Sequence, residues 1–328
     1  MRKIYLNFIG VLAIFFALTG CEDDEYALPK AKTHFQNDAL KRSVGPNVVG
    51  LDLEFVYAMA LGVDKGTIVS ARAEASIPGA SGTYLEHRSF HIDAGGNDEG
   101  VDIGNPAVSD GAITEVTFTR DTSAAALRYY YVIPEEARGK SVEFTFSATA
   151  TTGEVVSYKM GPYQIARMEM QRDITLTNGN VSYFSISEMQ AYNAVDAAAN
   201  ADKIDLVYLY RSIAGITFNH ALVAPSTHED FRPGVTLPPG AANATKIHKT
   251  WQLNDRHLAN LQFGIYVDDP DFEKIDVSTA PDYALNLRAE SGAWVETADG
   301  RYRAYVYVNS VNNATGTMRI SIKRLQVK

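Results

Sequence analysis

One cysteine, Cys21, stands in a chain of 328 residues, so no intrachain disulfide can brace the fold and stability must come from packed cores. No apolar run after Cys21 reaches the roughly 20 residues a membrane-spanning helix needs. Lysine and arginine form no long run, and the formal charge is −9, which repels phosphate backbones and argues against nucleic acid as a partner. Catalytic signatures are missing too. Gly139-Lys140-Ser141 ends like a phosphate loop, but the position that needs the first glycine is Pro134. Gly79-Ala80-Ser81-Gly82 lacks the spacing of a nucleophile elbow. His228-Glu229-Asp230 lacks the second histidine of a zinc-protease helix, and no histidine pair is backed by a cysteine. These absences point to a protein that is not an enzyme and carries no cofactor.

What is present begins with the leader. Arg2 and Lys3 precede an almost uncharged apolar run from Ile4 to Leu18, closed by Leu18-Thr19-Gly20-Cys21. That order of charge, grease and small residues describes a signal peptide over residues 1–20. With a cysteine directly after the small pair, it resembles a bacterial lipoprotein signal, cut before Cys21 so that the thiol takes lipid. The run Glu22-Asp23-Asp24-Glu25 resembles the export tag of surface lipoproteins in Bacteroidetes-type bacteria. The resemblance implies a lipid anchor at Cys21 in the outer membrane, facing outward. Residues 21–46 mix charge, Gln, Asn and Pro without a period and read as a lipidated acidic tether.

Eighteen Tyr and fourteen Phe, among many Val and Thr, favour β structure. The fold class expected is mainly β: an N-terminal immunoglobulin-like β-sandwich over 47–166, then a β-rich (α+β) domain over 167–328 with one or two short helices. In the first part apolar residues alternate with period two: Leu51 to Met59, Val69 to Ile77, Leu127 to Ile133 and Val142 to Ala148. About seven such strands suit an immunoglobulin-like sandwich, with the tyrosines as core. In the second part Ser187-Glu188-Met189-Gln190 has capping-box spacing and predicts a helix near 187–200. Ile204 to Tyr210 reads as a central strand. Residues 219–250 hold four prolines and read as a long loop, Asn254 to Leu261 as a short helix, and the last 45 residues as strands. In the final strand Met318, Ile320 and Ile322 have one parity and Leu325 and Val327 the other, which predicts a β-bulge at Lys323-Arg324.

Three blocks, Leu127-Arg128-Tyr129-Tyr130-Tyr131, Pro134 to Lys140, and Tyr158 to Tyr163, resemble a Bacteroidetes-type outer-membrane surface lipoprotein family of unknown function. Ala197-Ala198-Ala199-Asn200 before Ile204 to Tyr208 adds to that resemblance. It implies an architecture and a location and transfers no site. In layout the chain is loosely similar to the glycan-binding lipoproteins of starch-utilisation systems, which implies a polysaccharide or oligosaccharide ligand and outer-membrane transport partners.

Candidate sites are few. Asp93, Asp98 and Asp102 crowd one glycine-rich turn and Asp269 and Asp271 another; either set could offer oxygen ligands to calcium. Asn243-Ala244-Thr245 and Asn313-Ala314-Thr315 match a glycosylation pattern of little meaning in a bacterial lipoprotein. Asp299-Gly300 between two alternating runs predicts a two-residue hairpin turn, which sets Trp294 opposite Tyr305 and Glu296 opposite Arg303. One face then carries Trp294, Tyr305, Tyr307, Glu296 and Arg303, and the other Val295, Ala304, Val306 and Val308. If the second face is core, the first is an exposed aromatic platform with polar neighbours, suited to stacking sugar rings. The alternative packs Trp294 and Tyr305 under the long loop with the Glu296–Arg303 pair at its rim. Trp251, at the end of that loop, is the remaining glycan candidate. The reading reached is a non-catalytic surface lipoprotein that captures a glycan. Its rivals are a structural or adhesive subunit with protein partners, and a glycan-cleaving enzyme needing two carboxylates at fixed separation.

Overall fold

The computed structural model describes residues 32–328 apart from 63 and 214, so the leader, Cys21 and most of the expected tether lie outside the described residues. In chain order the first half forms β1 Gln36–Lys41, β2 Asp52–Ala60, β3 Ile68–Ala75, β4 Tyr84–Leu85, β5 Arg88–Ile92, β6 Asp98–Asp102, β7 Val108–Asp110, β8 Ile113–Thr117, β9 Ala124–Val132, β10 Ser141–Ala150 and β11 Val155–Gln164. The second half forms β12 Glu169–Thr177, β13 Tyr183–Ser185, β14 Gln190–Tyr192, helix α1 Ala194–Ala199, β15 Leu206–Ile213, β16 Ile216–Val223, β17 Lys246–Trp251, α2 Arg256–Ala259, α3 Asp269–Lys274, β18 Tyr283–Leu287, β19 Ser291–Glu296, β20 Tyr302–Asn312 and β21 Thr317–Gln326. The chain is therefore mainly β, as its composition requires.

Sheets of order β1-β2-β9-β4 and β11-β10-β3-β8-β7 face each other across the first core. Leu53, Phe55, Tyr57 and Met59 of β2, with Tyr129 and Tyr131 of the adjacent β9, meet Phe144, Phe146 and Ala148 from the other sheet. Such aromatic faces bury a large apolar area per residue, and the Tyr131 hydroxyl keeps a partner by donating to the Ile77 carbonyl at 2.9 Å. The expected alternation needs one adjustment: a register shift opposite Ala150 turns Ile68, not Val69, inward.

The tether expected over 21–46 is shorter than its composition suggested. Residues 36–41 are β1, paired antiparallel with β2 from Gln36↔Ala60 to Lys41↔Phe55. Phe35 is buried, and Asn37 donates to the Tyr57 hydroxyl at 3.0 Å. An edge strand covers only one face, so its mixed polar composition concealed it.

In the second half the sheets are β12-β21-β20-β19-β17 and β14-β13-β15-β16-β18. The expected central strand is β15, whose residues Leu206 to Leu209 are all buried. The long loop is trimmed at both ends by β16 and β17. The helix expected over 187–200 is only α1. Ser187 bonds the Ser185 hydroxyl, Met189 takes a left-handed φ of 49° that no helix accommodates, and Gln190 to Tyr192 pair with β13. Asn193 is the true cap, accepting from the N–H groups of Val195 and Asp196.

The β12–β21 sheet is covered on both faces. Ile247, Val295, Ala304, Val306, Met318, Ile320 and Ile322 fill the space between the sheets. The opposite face is roofed by α2, α3 and the chain around Val48 and Met168. This removes the expected bulge at Lys323-Arg324. β21 pairs with β20 without interruption there, the irregularity lying between Val308 and Ser310. Leu325 has the other parity because it belongs to the other core. The halves join where Arg138 Nη1 donates to the Met168 carbonyl at 2.7 Å and the Ala166 N–H donates to Asn47; within the second half the Asp269 carboxylate anchors the incoming chain, accepting from the N–H groups of Arg167 (2.7 Å) and Met168 (3.0 Å).

Candidate functional site

The hairpin that the sequence singles out forms with the expected partners, Trp294↔Tyr305 and Glu296↔Arg303. Its loop is longer than two residues. The Thr297 N–H donates to the Tyr302 carbonyl, leaving Ala298 to Arg301 as the connection, and Gly300 supplies the φ of 65°. A four-residue loop centred on the same point preserves the register.

The aromatic face is not a platform. Trp294 is 7 % exposed, and Tyr305 and Tyr307 are buried as well. Phe272 of α3 meets the indole edge-on at 5.3 Å, and the indole tilts against Tyr305 at 5.0 Å. The Tyr305 hydroxyl donates to the Leu253 carbonyl at 2.6 Å, and Tyr307 donates to Asn254 Oδ1 at 3.2 Å. Glu296 and Arg303 pair at 2.7 Å on the rim, where Arg303 Nη1 also donates to the carbonyls of Phe272 and Glu273. Period-two reading cannot distinguish an outward face from a second core, because the roof comes from segments 253–277, distant in sequence. Trp251 is the exception at 43 % exposed, at the end of edge strand β17 with Arg288 4.0 Å over its ring.

The carboxylates proposed for calcium are engaged separately. Asp93 accepts from the N–H groups of Gly95 and Asn97, Asp98 pairs with Arg128, and Asp102 lies 3.5 Å from His87. Asp269 accepts the backbone N–H groups of Arg167 and Met168, and Asp271 closes the capping box of α3 with Asp268. Among the described residues no three such groups converge as ligands.

The convergence of polar groups lies instead at the tip of the same hairpin. A cleft of about 340 Å³ opens between that tip, the segment after α1, and Asn243, lined by Lys203, Asp205, Asn243, Asp299, Arg301 and Tyr302 among others. Asp205 begins the apolar run of β15 and is 4 % exposed. Its Oδ2 accepts the Ile186 N–H at 2.8 Å and its Oδ1 lies 3.4 Å from the Asn243 amide. Burial pushes its pKa up to about 7, with the nearby Asp299 charge adding to the rise. For Asp299 burial acts upward, but the Thr297 hydroxyl and the Arg301 N–H outweigh it and hold the carboxyl below its usual range. Asn243 donates to the carbonyls of Asp202 and Ile204 at 2.9 Å, fixing its side chain at the cleft wall. The half-buried Tyr302 ring has Arg324 at 5.1 Å and Arg301 at 5.8 Å.

A second cleft, about 420 Å³, lies between α1 and the Gly234–Pro239 segment. Its walls are largely apolar, and the Arg211 guanidinium beside it is spent on Pro233, Tyr210 and Asn178 oxygens. The smaller cleft therefore holds the greater density of directed polar groups, the feature that marks a binding site. Sequence reasoning passed over Asp205 and Asn243. The one signal available was a carboxylate standing at the head of an otherwise apolar strand.

Fold and cleft together define a two-part β protein whose named strands pair antiparallel, with a polar cleft and no metal constellation among the described residues. Residues 32–165 match the profile of DUF4466, a domain of unknown function, and residues 166–327 match that of DUF8576, another domain of unknown function. A crystal structure of a DUF4466 family protein from Parabacteroides merdae ATCC 43184 is 42 % identical, covers 90 % of this chain and 99 % of its own, and superposes with a TM-score of 0.85. The chain belongs to the DUF4466 family. BcpA, the major pilin subunit of Bacillus cereus, and the Actinomyces fimbrial adhesin FimA align at 7 % and 9 % identity over 88 % and 90 % of this chain and 66 % and 97 % of their own, with TM-scores of 0.29 and 0.26. No curated protein matches.

Proposed function

We propose that this chain is a lipid-anchored protein of the outer cell surface that binds a sugar without cleaving it, at the cleft between the hairpin tip and Asp205. The leader ending in Cys21 supports the address. One observation carries the site: carboxylate, amide and guanidinium groups from Asp205, Asn243, Asp299 and Arg301 line a single cleft beside the Tyr302 ring. Closely spaced acceptors and donors match the vicinal hydroxyls of a pyranose. The buried aromatic face of the hairpin takes no part.

The test is a glycan array followed by affinity electrophoresis of the soluble 22–328 fragment. Arg301→Ala, at an exposed loop position, and Asn243→Ala should each weaken binding by about 10- to 100-fold, the worth of a charged or shared hydrogen bond. Unchanged binding in both variants would remove the cleft from consideration.

A second reading, glycan cleavage, has one observation in its favour. Asp205 is pushed up while Asp299 is held down, the divergence an acid and its partner base require. Release of reducing ends from a bound glycan would select it.

A further inference from the structure

Lys323 and Asp255 form an ion pair with both side chains 0 % exposed, the only such pair among the described residues. Lys323 sits on β21 opposite Tyr305, on the face where Leu325 is apolar and buried. Its Nζ lies 2.7 Å from Asp255 Oδ2 and 2.8 Å from the Val267 carbonyl. We propose that this pair condenses to an intramolecular amide, a covalent strut tying the C-terminal strand to the start of α2.

The surroundings supply what the reaction needs. Burial lowers the affinity of the Lys323 amine for its proton, which favours the nucleophilic form of Nζ. The Asp255 carboxyl is held by two backbone donors, Leu258 N–H to Oδ1 at 3.0 Å and Val267 N–H to Oδ2 at 2.6 Å. Donors so placed stabilise the negative charge that builds on a carboxyl oxygen during addition.

The balance closes without a cofactor. One ammonium proton first passes from Nζ to Oδ2, 2.7 Å away; the Nζ lone pair then adds to Cγ, a second nitrogen proton passes to Oδ2, and the Cγ–Oδ2 bond breaks. Oδ2 leaves with both protons as one water. The remaining N–H stays against the Val267 carbonyl, and Oδ1 becomes an amide oxygen still bonded to Leu258. Two buried charges, costly to desolvate, are replaced by one neutral group. The dry site disfavours the reverse hydrolysis. The strut spans 68 residues in a protein whose lone cysteine rules out a disulfide.

The experiment is peptide mapping by tandem mass spectrometry of the full chain, purified from its host membranes and denatured before digestion. The expected product is a branched peptide joining the segments with Asp255 and Lys323, lighter by one water than its two halves. Lys323→Arg, which keeps the charge but cannot acylate, should give the two linear peptides. Linear peptides of full mass from the folded wild-type chain overturn the proposal, and this reading needs no variant to fold.

Discussion

At Asp205 the fold places a carboxyl that prefers its proton at the head of a central strand. Its ordinary value is 3.8 and its folded value about 7. Between those limits the native state keeps a proton that the unfolded state releases, so stability declines as pH rises from about 4 to about 7 and is level above that. Three units correspond to roughly 4 kcal/mol as an upper bound. Urea midpoints at pH 5 and pH 8 should therefore drop in the wild type, and the drop should shrink in Asp205→Asn. Parallel declines in both proteins would place the titrating group elsewhere. Trp294 offers the complementary test. With Phe272 and Tyr305 around it, Trp294→Ala should cost about 3–5 kcal/mol in denaturant unfolding. The folded fraction of the variant should retain glycan binding at the cleft. Loss of binding at unchanged stability would restore the aromatic platform.

Among the elements, the β19–β20 hairpin links the core to the cleft. Its strands hold Trp294 and Tyr305 under the roof, while its loop projects Asp299 and Arg301 into the cleft. Gly300 occupies the left-handed region at φ 65°, and an added Cβ would meet only the mobile end of Lys328. Gly300→Ala should thus cost about 1 kcal/mol from the backbone alone. The disturbed tip should also weaken glycan binding, measured in the same affinity gel. The register of this hairpin was legible from alternation around Asp299-Gly300. Its burial was not, because residues 253–277 cover it and no local period records their approach. Helix α1 teaches a similar point. The spacing from Ser187 to Gln190 satisfies a capping rule, yet Asn193 three residues further on makes the actual cap.

Across the whole molecule the two sandwiches share a boundary built from backbone. Arg138 of the first donates to the Met168 carbonyl at the start of the second, and Asp269 and Glu273 hold that start in place, Asp269 accepting the N–H groups of Arg167 and Met168 and Glu273 pairing with Arg167. Phe35 to Lys328 clusters as one compact unit. Wild-type calorimetry should show one transition. Asp269→Ala strips two donors of their acceptor, at about 1–3 kcal/mol. It should split that transition or lower its first component. A variant that still unfolds in one unshifted step would show that the apolar contacts around Val48 and Met168 carry the coupling instead.

Alternation by itself determined the mainly β class, the inward sides of β2, β9 and β10 and the partners along the hairpin. Each of these is a consequence of period two within one or two neighbouring segments. Only the tertiary structure decided that the β12–β21 sheet carries a core on each face. It also decided that a lysine lies sealed against an aspartate, and that Asp205, Asn243 and Asp299 meet. The last two depend on residues 38 to 94 positions apart converging, and burial, not composition, sets the chemistry of a carboxyl or an amine.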